Sequence, residues 1–397
     1  MEGDLAVGKG SASIQFNIHT MTTRRNFIST GIKGAAATAL APVIPAFSAT
    51  SGNAAHKTIM KKEETKSPPG GDRFKPAQRF GLGGVAIGNA FRPTTDAEAQ
   101  LAMEGAWAAG VRYFDTSPWY GLGISERRFG HFLHNHKRED YVISTKVGRL
   151  LKPTKVLSET MWKNPSPFTY EYDYTAAGIR RSVEDSLQRL GIESLDIVYI
   201  HDLSPDNGDF KGKWTDYFDI AKKGAMPELT KMREEGLIKG WGLGVNTIEP
   251  ILQTLEVAEA DIFLSACQYS LMFHEDALNR LYPACEKAGV SIIVGAPLNA
   301  GFLAGIDRYN YGNDIPAGYK EKREQMNKIA KKYGTDLRTV ALQFSAAPAV
   351  VAAVIPGTRI AAQAKDNVAS MKVKIPADLW KELKQQKLIA ANAPVPA

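Results

Sequence analysis

From residue 80 onward one unit repeats: a short run of β-prone apolar residues, a turn, and a segment with helical spacing. Strands are expected at 82–87, 111–115, 141–146, 195–200, 237–245, 262–267, 290–295 and 350–355. Helices are expected at 96–110, 125–133, 174–190, 226–235, 248–257, 276–288, 320–333, 337–345, 361–371 and 377–386. Strict alternation implies a parallel sheet. Eight repeats within roughly 300 residues, with no second core, fit an α/β chain closed into a (β/α)8 TIM barrel. Gly81-Leu-Gly-Gly84 does not open a helix with the Gly-x-Gly-x-x-Gly spacing of an open dinucleotide-binding sheet. Within the first helix, Ala97, Leu101, Gly105 and Ala108 share one side, and Gly105 would let it approach the sheet. Ser125 is the expected N-cap of the second, with Glu126 in its first turn. Residues 148–173 read as a long insert.

Three of these strands finish on, or just before, a reactive side chain. The run at 111–115 ends at Asp115 and leads into a turn carrying Trp119 and Tyr120. The run at 141–146 ends at Lys146, and that at 195–200 leads to His201. A parallel barrel gathers such ends on one face, where barrels of this kind build active sites. Each residue alone has an ordinary structural reading: a turn carboxylate, a packed tyrosine, a solvated lysine, a satisfied histidine. Four at consecutive strand ends point to one shared site.

Together they suit proton transfer to or from a substrate oxygen. A tyrosine with a pKa of about 10 is a poor acid at neutral pH. A neighbouring ammonium is expected to favour the phenolate and lower that value. Asp115 would supply the counter-charge, and His201 would orient a carbonyl. No activated Ser or Cys nucleophile and no metal cage is evident, so the missing component is a hydride-carrying cofactor. Cys267 and Cys285 read as two buried free thiols. A Schiff-base aldolase using Lys146 and a cofactor-bound sensor or accessory subunit remain as alternatives.

Before the barrel, Arg24-Arg25 with Phe27, an Ala-rich run at 34–44 and Ala46-Phe-Ser48 have the form of a twin-arginine export signal over 1–48, complete even if Met21 is the start. A frayed helix is the plainer alternative. The apolar run is too short to span a bilayer, so no stable membrane insertion is expected. Residues 49–75 read as a flexible linker and 76–390 as the barrel domain. Export would place the protein in a bacterial periplasm, with its cofactor loaded beforehand. The net charge of +7 is spread along the chain without a basic block, so no nucleic-acid partner is expected.

The residues from about 80 to 371 resemble the aldo-keto reductase superfamily. The likeness is carried by Phe114-Asp-Thr-Ser-Pro-Trp-Tyr-Gly121 with Ser125-Glu126 and Gly130, by Ser144-Thr-Lys146, Tyr199-Ile-His201, Ala341-Leu-Gln-Phe344 and Val354-Ile-Pro-Gly357. Within it, Tyr120-Gly-Leu-Gly-Ile-Ser-Glu-Arg-Arg-Phe-Gly130, Tyr172-Asp-Tyr174 and the stretch Gly289 to Gly301 are similar to the branch of L-galactose, L-fucose (D-threo-aldose) and pyridoxal dehydrogenases. The resemblance implies an NADP- or NAD-dependent oxidoreductase acting on a small carbonyl compound or sugar, with Tyr120 as general acid/base, Lys146 and Asp115 tuning it, and His201 positioning the carbonyl. It further implies that Asn246 and Gln268 hold the carboxamide and that Tyr269 stacks on the nicotinamide. The backbone of 296–301, with Ala296, Leu298, Ala300 and Gly301, would clasp the pyrophosphate. Gly357, Thr358, Gln363, Asp366 and Asn367 would surround the adenosine end. Many members have Ser-Asn where this chain has Asn246-Thr247. Many NADP-preferring members have Lys and Arg where it has Gly357 and Gln363, which leaves Arg359 as the nearest cation for a 2′-phosphate. Trp162, in the insert, would cover the substrate pocket with Trp119, the alternative being a surface excursion that packs on itself.

Overall fold

The computed structural model describes residues 73–312 and 314–396; the expected export signal and linker residues 49–72 lie outside them. Parallel strands β1 (Leu82–Gly83), β2 (Tyr113–Asp115) and β3 (Val142–Val147) are followed by an antiparallel hairpin of β4 (Arg149–Pro153) and β5 (Phe168–Tyr172). The barrel resumes with β6 (Leu195–His201), β7 (Ile238–Val245), β8 (Ile262–Ala266), β9 (Ser291–Gly295) and β10 (Val351–Ile355). The eight-stranded sheet runs β1-β2-β3-β6-β7-β8-β9-β10. Parallel bridges Phe80–Val354 and Gly83–Gly357 join its two ends. It is a (β/α)8 barrel, as the alternation predicts. Among the described residues no helix is long and apolar enough to cross a membrane.

Side-chain alternation along each strand sorts residues between two cores. Tyr113, Ile197, Tyr199, Ile262, Leu264, Ile293, Ala353 and Ile355 belong to one cluster inside the barrel. Phe114, Ile143, Val198 and Ile200 face the helices in another. With a period of two, Asp115 shares the face of Tyr113, Lys146 that of Ser144, and His201 that of Tyr199. The pairings Asp115–Ser144, Lys146–Tyr199 and His201–Gly244 bring these residues to one end of the barrel.

Several expectations are corrected. The first strand stops at Gly83 rather than 87, because Gly84 turns onto β2: its N–H donates to Asp115 O at 2.7 Å, and a Cβ there would lie 2.6 Å from that oxygen. Helix α1 (Asp96–Ala108) buries Ala99, Ala102, Met103, Gly105 and Ala106, while Leu101 is 57% exposed. Close helix contact decides that face. A Cβ on Gly105 would stand 2.7 Å from the Ala361 Cβ, so at that point α1 meets the helix Ala361–Ser370, while its Trp107 stacks on Phe114 of β2 at 6.2 Å. Helix α2 (Ile124–Leu133) is capped by Gly123 at φ 94, not by Ser125. The buried Ser125 hydroxyl instead donates to Gly84 O at 3.0 Å and accepts from Thr116 Oγ1 at 2.8 Å. The insert is the β4–β5 hairpin with its connecting loop. A helix at Trp214–Lys223 precedes the one expected near 226, here Ala225–Glu234. Both cysteines are free and buried, and burial pushes the Cys267 thiol up to about 12.

His274 ties the C-terminal segment to the barrel. Its Nδ1 meets Ser270 O at 2.9 Å, and its Nε2 accepts from the Ala390 N–H at 3.0 Å. Burial drives its pKa down to about 4. The unfolded chain, with a histidine pKa near 6.5, therefore takes up this proton first. The native state keeps its full margin above about pH 6.5 and loses as much as roughly 3 kcal/mol between there and pH 4. Urea titrations across that range should show the decline, and His274→Gln should flatten its slope.

Candidate active site

The carboxyl ends of the strands open into one cavity of about 500 Å³, within the range usual for small-molecule and cofactor sites. Asp115, Trp119, Tyr120, Lys146, Trp162 and His201 all line it. The Lys146 ammonium donates to Asp115 Oδ2 at 2.8 Å, Asp115 Oδ1 at 3.0 Å and Thr116 O at 2.8 Å. All three N–H bonds are thereby used, an arrangement poorly suited to Schiff-base attack. Ser144 Oγ donates to Asp115 Oδ1 at 2.7 Å. The ammonium lies 4.6 Å from the Tyr120 ring centroid, and the His201 ring meets that ring edge-on at 5.9 Å. His201 Nδ1 pairs with Ser117 Oγ at 3.1 Å.

Electrostatics reverse one expectation. The Tyr120 phenol is held well above its usual pKa, first by burial and then by the Asp115 and Asp202 carboxylates, with Arg149 opposing. Burial and the two carboxylates outweigh the Lys146 ammonium, whose charge Asp115 offsets at contact distance. Tyr120 therefore rests as a neutral phenol. Burial, reinforced by Arg149 and Lys146, holds His201 well below its usual value, so its ring is neutral as well.

The residues expected around a dinucleotide are distributed unevenly. Asn246, Ala296, Leu298, Ala300, Gly301, Gly357, Thr358, Arg359, Gln363 and Asn367 line the same cavity. Left-handed backbone at Ala296 (φ 51), Asn299 (φ 47), Ala300 (φ 55) and Gly301 (φ 101) wraps the chain after β9 around it. Gln268 stands behind Asn246, donating to its carbonyl at 2.5 Å. Tyr269 is 1% exposed and stacks on Phe344 at 5.1 Å, in the core between barrel and helices. It is not among the residues that line the cavity. Asp366 faces solvent beside Arg338, at 3.4 Å. Arg359 turns to the β1–α1 loop, donating to Ala90 O at 2.9 Å and Arg92 O at 3.2 Å. Burial, with Arg92 and Arg308 nearby, lowers its pKa to about 10.

Other lining residues went unread in the sequence: Phe91, Asp202, Arg308, Tyr311 and Arg338. Arg308 stacks on Phe91 with its guanidinium carbon 3.8 Å from the ring centroid and donates to Ala300 O at 2.6 Å. Only Asp202 carried a readable signal, as a second polar residue directly after the strand-end histidine. The insert reaches the site through Trp162, which meets Trp119 edge-on at 5.6 Å and lies 5.6 Å from Tyr120.

A sequence profile of the Aldo/keto reductase family matches residues 79–387. A D-threo-aldose 1-dehydrogenase from Pseudomonas sp is 34% identical over 321 residues, covering 78% of this chain and 94% of that protein. A pyridoxal 4-dehydrogenase from Microbacterium luteolum is 33% identical over 330 residues, with the same coverages. In fold, the chain is similar to the holo form of an aldo-keto reductase from Bacillus halodurans, with a TM-score of 0.60 at 22% identity, over 79% of this chain and 93% of that one.

Proposed function

The chain belongs to the aldo/keto reductase family, and from that premise we propose that this nicotinamide-dependent oxidoreductase interconverts an aldose, in its cyclic hemiacetal form, with the corresponding lactone. The carrying observation is the convergence of Tyr120, the Lys146–Asp115 pair and neutral His201 on one cavity. The sequence likeness to the D-threo-aldose 1-dehydrogenase supports the substrate class.

The cavity suits a dinucleotide. Arg308, Arg338 and Arg359 line it together, and the buried Thr358 Oγ1 has no partner among the described residues. Its lining carboxylates, by contrast, are paired: Asp115 with Lys146 and Asp202 with Arg149. The backbone of 296–301 and Arg308 would hold the pyrophosphate, residues 357–359 with Gln363 and Asn367 the adenosine end, and Asn246 the carboxamide. Arg359, next to Thr358 at the adenosine end, favours NADP over NAD. The bound nucleotide supplies or accepts the hydride. On reduction, the neutral Tyr120 phenol gives its proton to the carbonyl oxygen as the alcohol forms. The phenolate left behind is stabilised by Lys146 and regains a proton from solvent. The ammonium thus acts on the charge that develops during the step, which is where electrostatic help lowers a barrier. In oxidation Tyr120 first gives its phenolic proton to solvent, and the phenolate beside Lys146 then takes the hydroxyl proton. Trp119 and Trp162 wall the reacting centre from water.

Turnover of L-fucose, L-galactose and pyridoxal with NAD or NADP, alongside simple aldehydes, tests this reading. An aldose should exceed pyridoxal in kcat/KM by about tenfold or more, a discrimination that polar contacts to hydroxyls readily supply, and lactone should accumulate. The absence of aldose turnover with either nucleotide would refute it.

Export by the twin-arginine route is part of the same proposal, motivated by Arg24-Arg25, the Ala-rich run and Ala46-Phe-Ser48. Folded export would let the nucleotide travel bound. Fractionation of cells expressing the full chain should recover nucleotide-loaded protein from the periplasm. A cytoplasmic location, or protein recovered empty, would count against it.

A further inference from the structure

We propose that Asp202 is a specificity-determining residue that accepts a hydrogen bond from the hydroxyl on the carbon beside the reacting one, so that the site selects α-hydroxy carbonyl compounds and their hemiacetals. The proposal rests on the aldose reading above and extends it to a single contact.

Asp202 follows His201 directly and takes a left-handed backbone, φ 47, a conformation uncommon outside glycine and tolerated by Asp. Its N–H donates to Gly244 O at 2.9 Å, and its carbonyl accepts from Asn207 Nδ2 at 3.0 Å. The turn leaves the side chain among the cavity-lining residues. Arg149 Nη1 grips Oδ2 at 2.8 Å. Arg149 is itself held over three rings, with its guanidinium carbon 5.0 Å from the Trp119 centroid, 4.9 Å from that of Tyr172 and 5.4 Å from that of Tyr170. The other oxygen, Oδ1, lies 3.5 Å from His201 Nε2, too far for a good hydrogen bond.

Oδ1 is therefore an anchored acceptor with spare capacity, immediately beside the histidine expected to touch the reacting oxygen. Neighbouring oxygens of a 1,2-diol are spaced by about one hydrogen-bond length, so an oxygen held at Tyr120 and His201 brings the adjacent hydroxyl to Asp202. A hydroxyl can donate, and Asp202 supplies the acceptor among the lining residues. A hydroxyl–carboxylate bond is charge-assisted and strong. A substrate lacking that hydroxyl would strip water from Asp202 without replacing it. The competing role, a tether between β6 and the β4–β5 hairpin through Arg149, predicts no dependence on the substrate hydroxyl.

Glycolaldehyde and acetaldehyde differ by that one hydroxyl. With saturating NADPH or NADH, wild-type protein should favour glycolaldehyde by about tenfold or more in kcat/KM. Asp202→Asn should lower that ratio about tenfold, chiefly through KM. Calorimetric titration of 1,5-anhydro-L-fucitol, which keeps the neighbouring hydroxyl but has no anomeric oxygen to oxidise, into nucleotide-loaded wild-type protein should give saturable binding. The same titration into folded Asp202→Asn should be weakened about tenfold. A wild-type ratio near one, a ratio unchanged in folded Asp202→Asn, or no saturable binding of the anhydro sugar would overturn the assignment. If the variant does not fold, the two wild-type measurements decide. If neither aldehyde nor any aldose is turned over, the oxidoreductase reading fails, while the anhydro-sugar titration still judges Asp202.

Discussion

Replacing Tyr120 by Phe is expected to cut NAD(P)-dependent turnover by roughly 10²–10⁴-fold, the range for loss of a positioned general acid, while nucleotide affinity stays near that of the wild type. The ring remains in place against Trp162, His201 and Lys146, and only the transferable proton is removed. Steady-state kcat combined with fluorescence titration of NADPH separates the two effects. A variant retaining more than about a tenth of wild-type kcat would show that another group donates the proton. Because burial keeps the phenol protonated far above neutrality, the wild-type reduction rate should be flat across neutral and mildly alkaline pH. An inflection near pH 7 would mean that the resting acid is not this tyrosine.

Removing the Asp115 carboxylate is expected to have the largest effect on stability. Lys146 and Asp115 are 2% and 3% exposed at the side chain and 2.8 Å apart. Asp115→Ala leaves an ammonium in the barrel with only the Thr116 carbonyl as partner, at a cost of about 3–5 kcal/mol for breaking a buried pair. Asp115→Leu combined with Lys146→Met should recover most of that loss, because swapping a whole buried pair for apolar groups is often neutral. Urea unfolding with an unchanged m value would measure both. The double variant should nevertheless be inactive. If it is no more stable than Asp115→Ala, the loss comes from packing rather than from a stranded charge.

The barrel and the four strand-end residues were legible in the sequence because both depend on short-range order. Alternation within β2, β3 and β6 decides which side chains enter the barrel, and a parallel sheet decides which end they share. Long-range packing erased other signals. In α1 the face of Ala99, Ala102, Met103 and Ala106 is the buried one and leaves Leu101 exposed, and the close approach of Ala361 to Gly105 comes from a helix more than 250 residues later. Ser125 has the composition of a helix cap, yet Gly84 and Thr116 claim its hydroxyl. Gln268 and Tyr269 lie beyond β8, after the left-handed turn at Cys267 (φ 64), where the strand period no longer applies, and Tyr269 joins the core against Phe344. Arg308 lies in a loop whose composition reveals nothing of the Phe91 ring it meets. The Tyr120 pKa is hidden for a related reason: the motif reveals that a lysine is near, but not how deeply the phenol is buried or that carboxylates stand beside it.

The barrel closes where its first and last strands meet, through Phe80–Val354 and Gly83–Gly357. Gly83, Pro356 and Gly357 also line the cavity proposed to receive the dinucleotide. A ligand there would straddle the seam, joining the start of the domain to its end and stabilising the closed form by mass action. A ribosome must therefore release nearly the whole chain before a complete cradle exists, so cofactor capture follows synthesis. Any shortening that removes the final strand would deprive the protein of closure and nucleotide together.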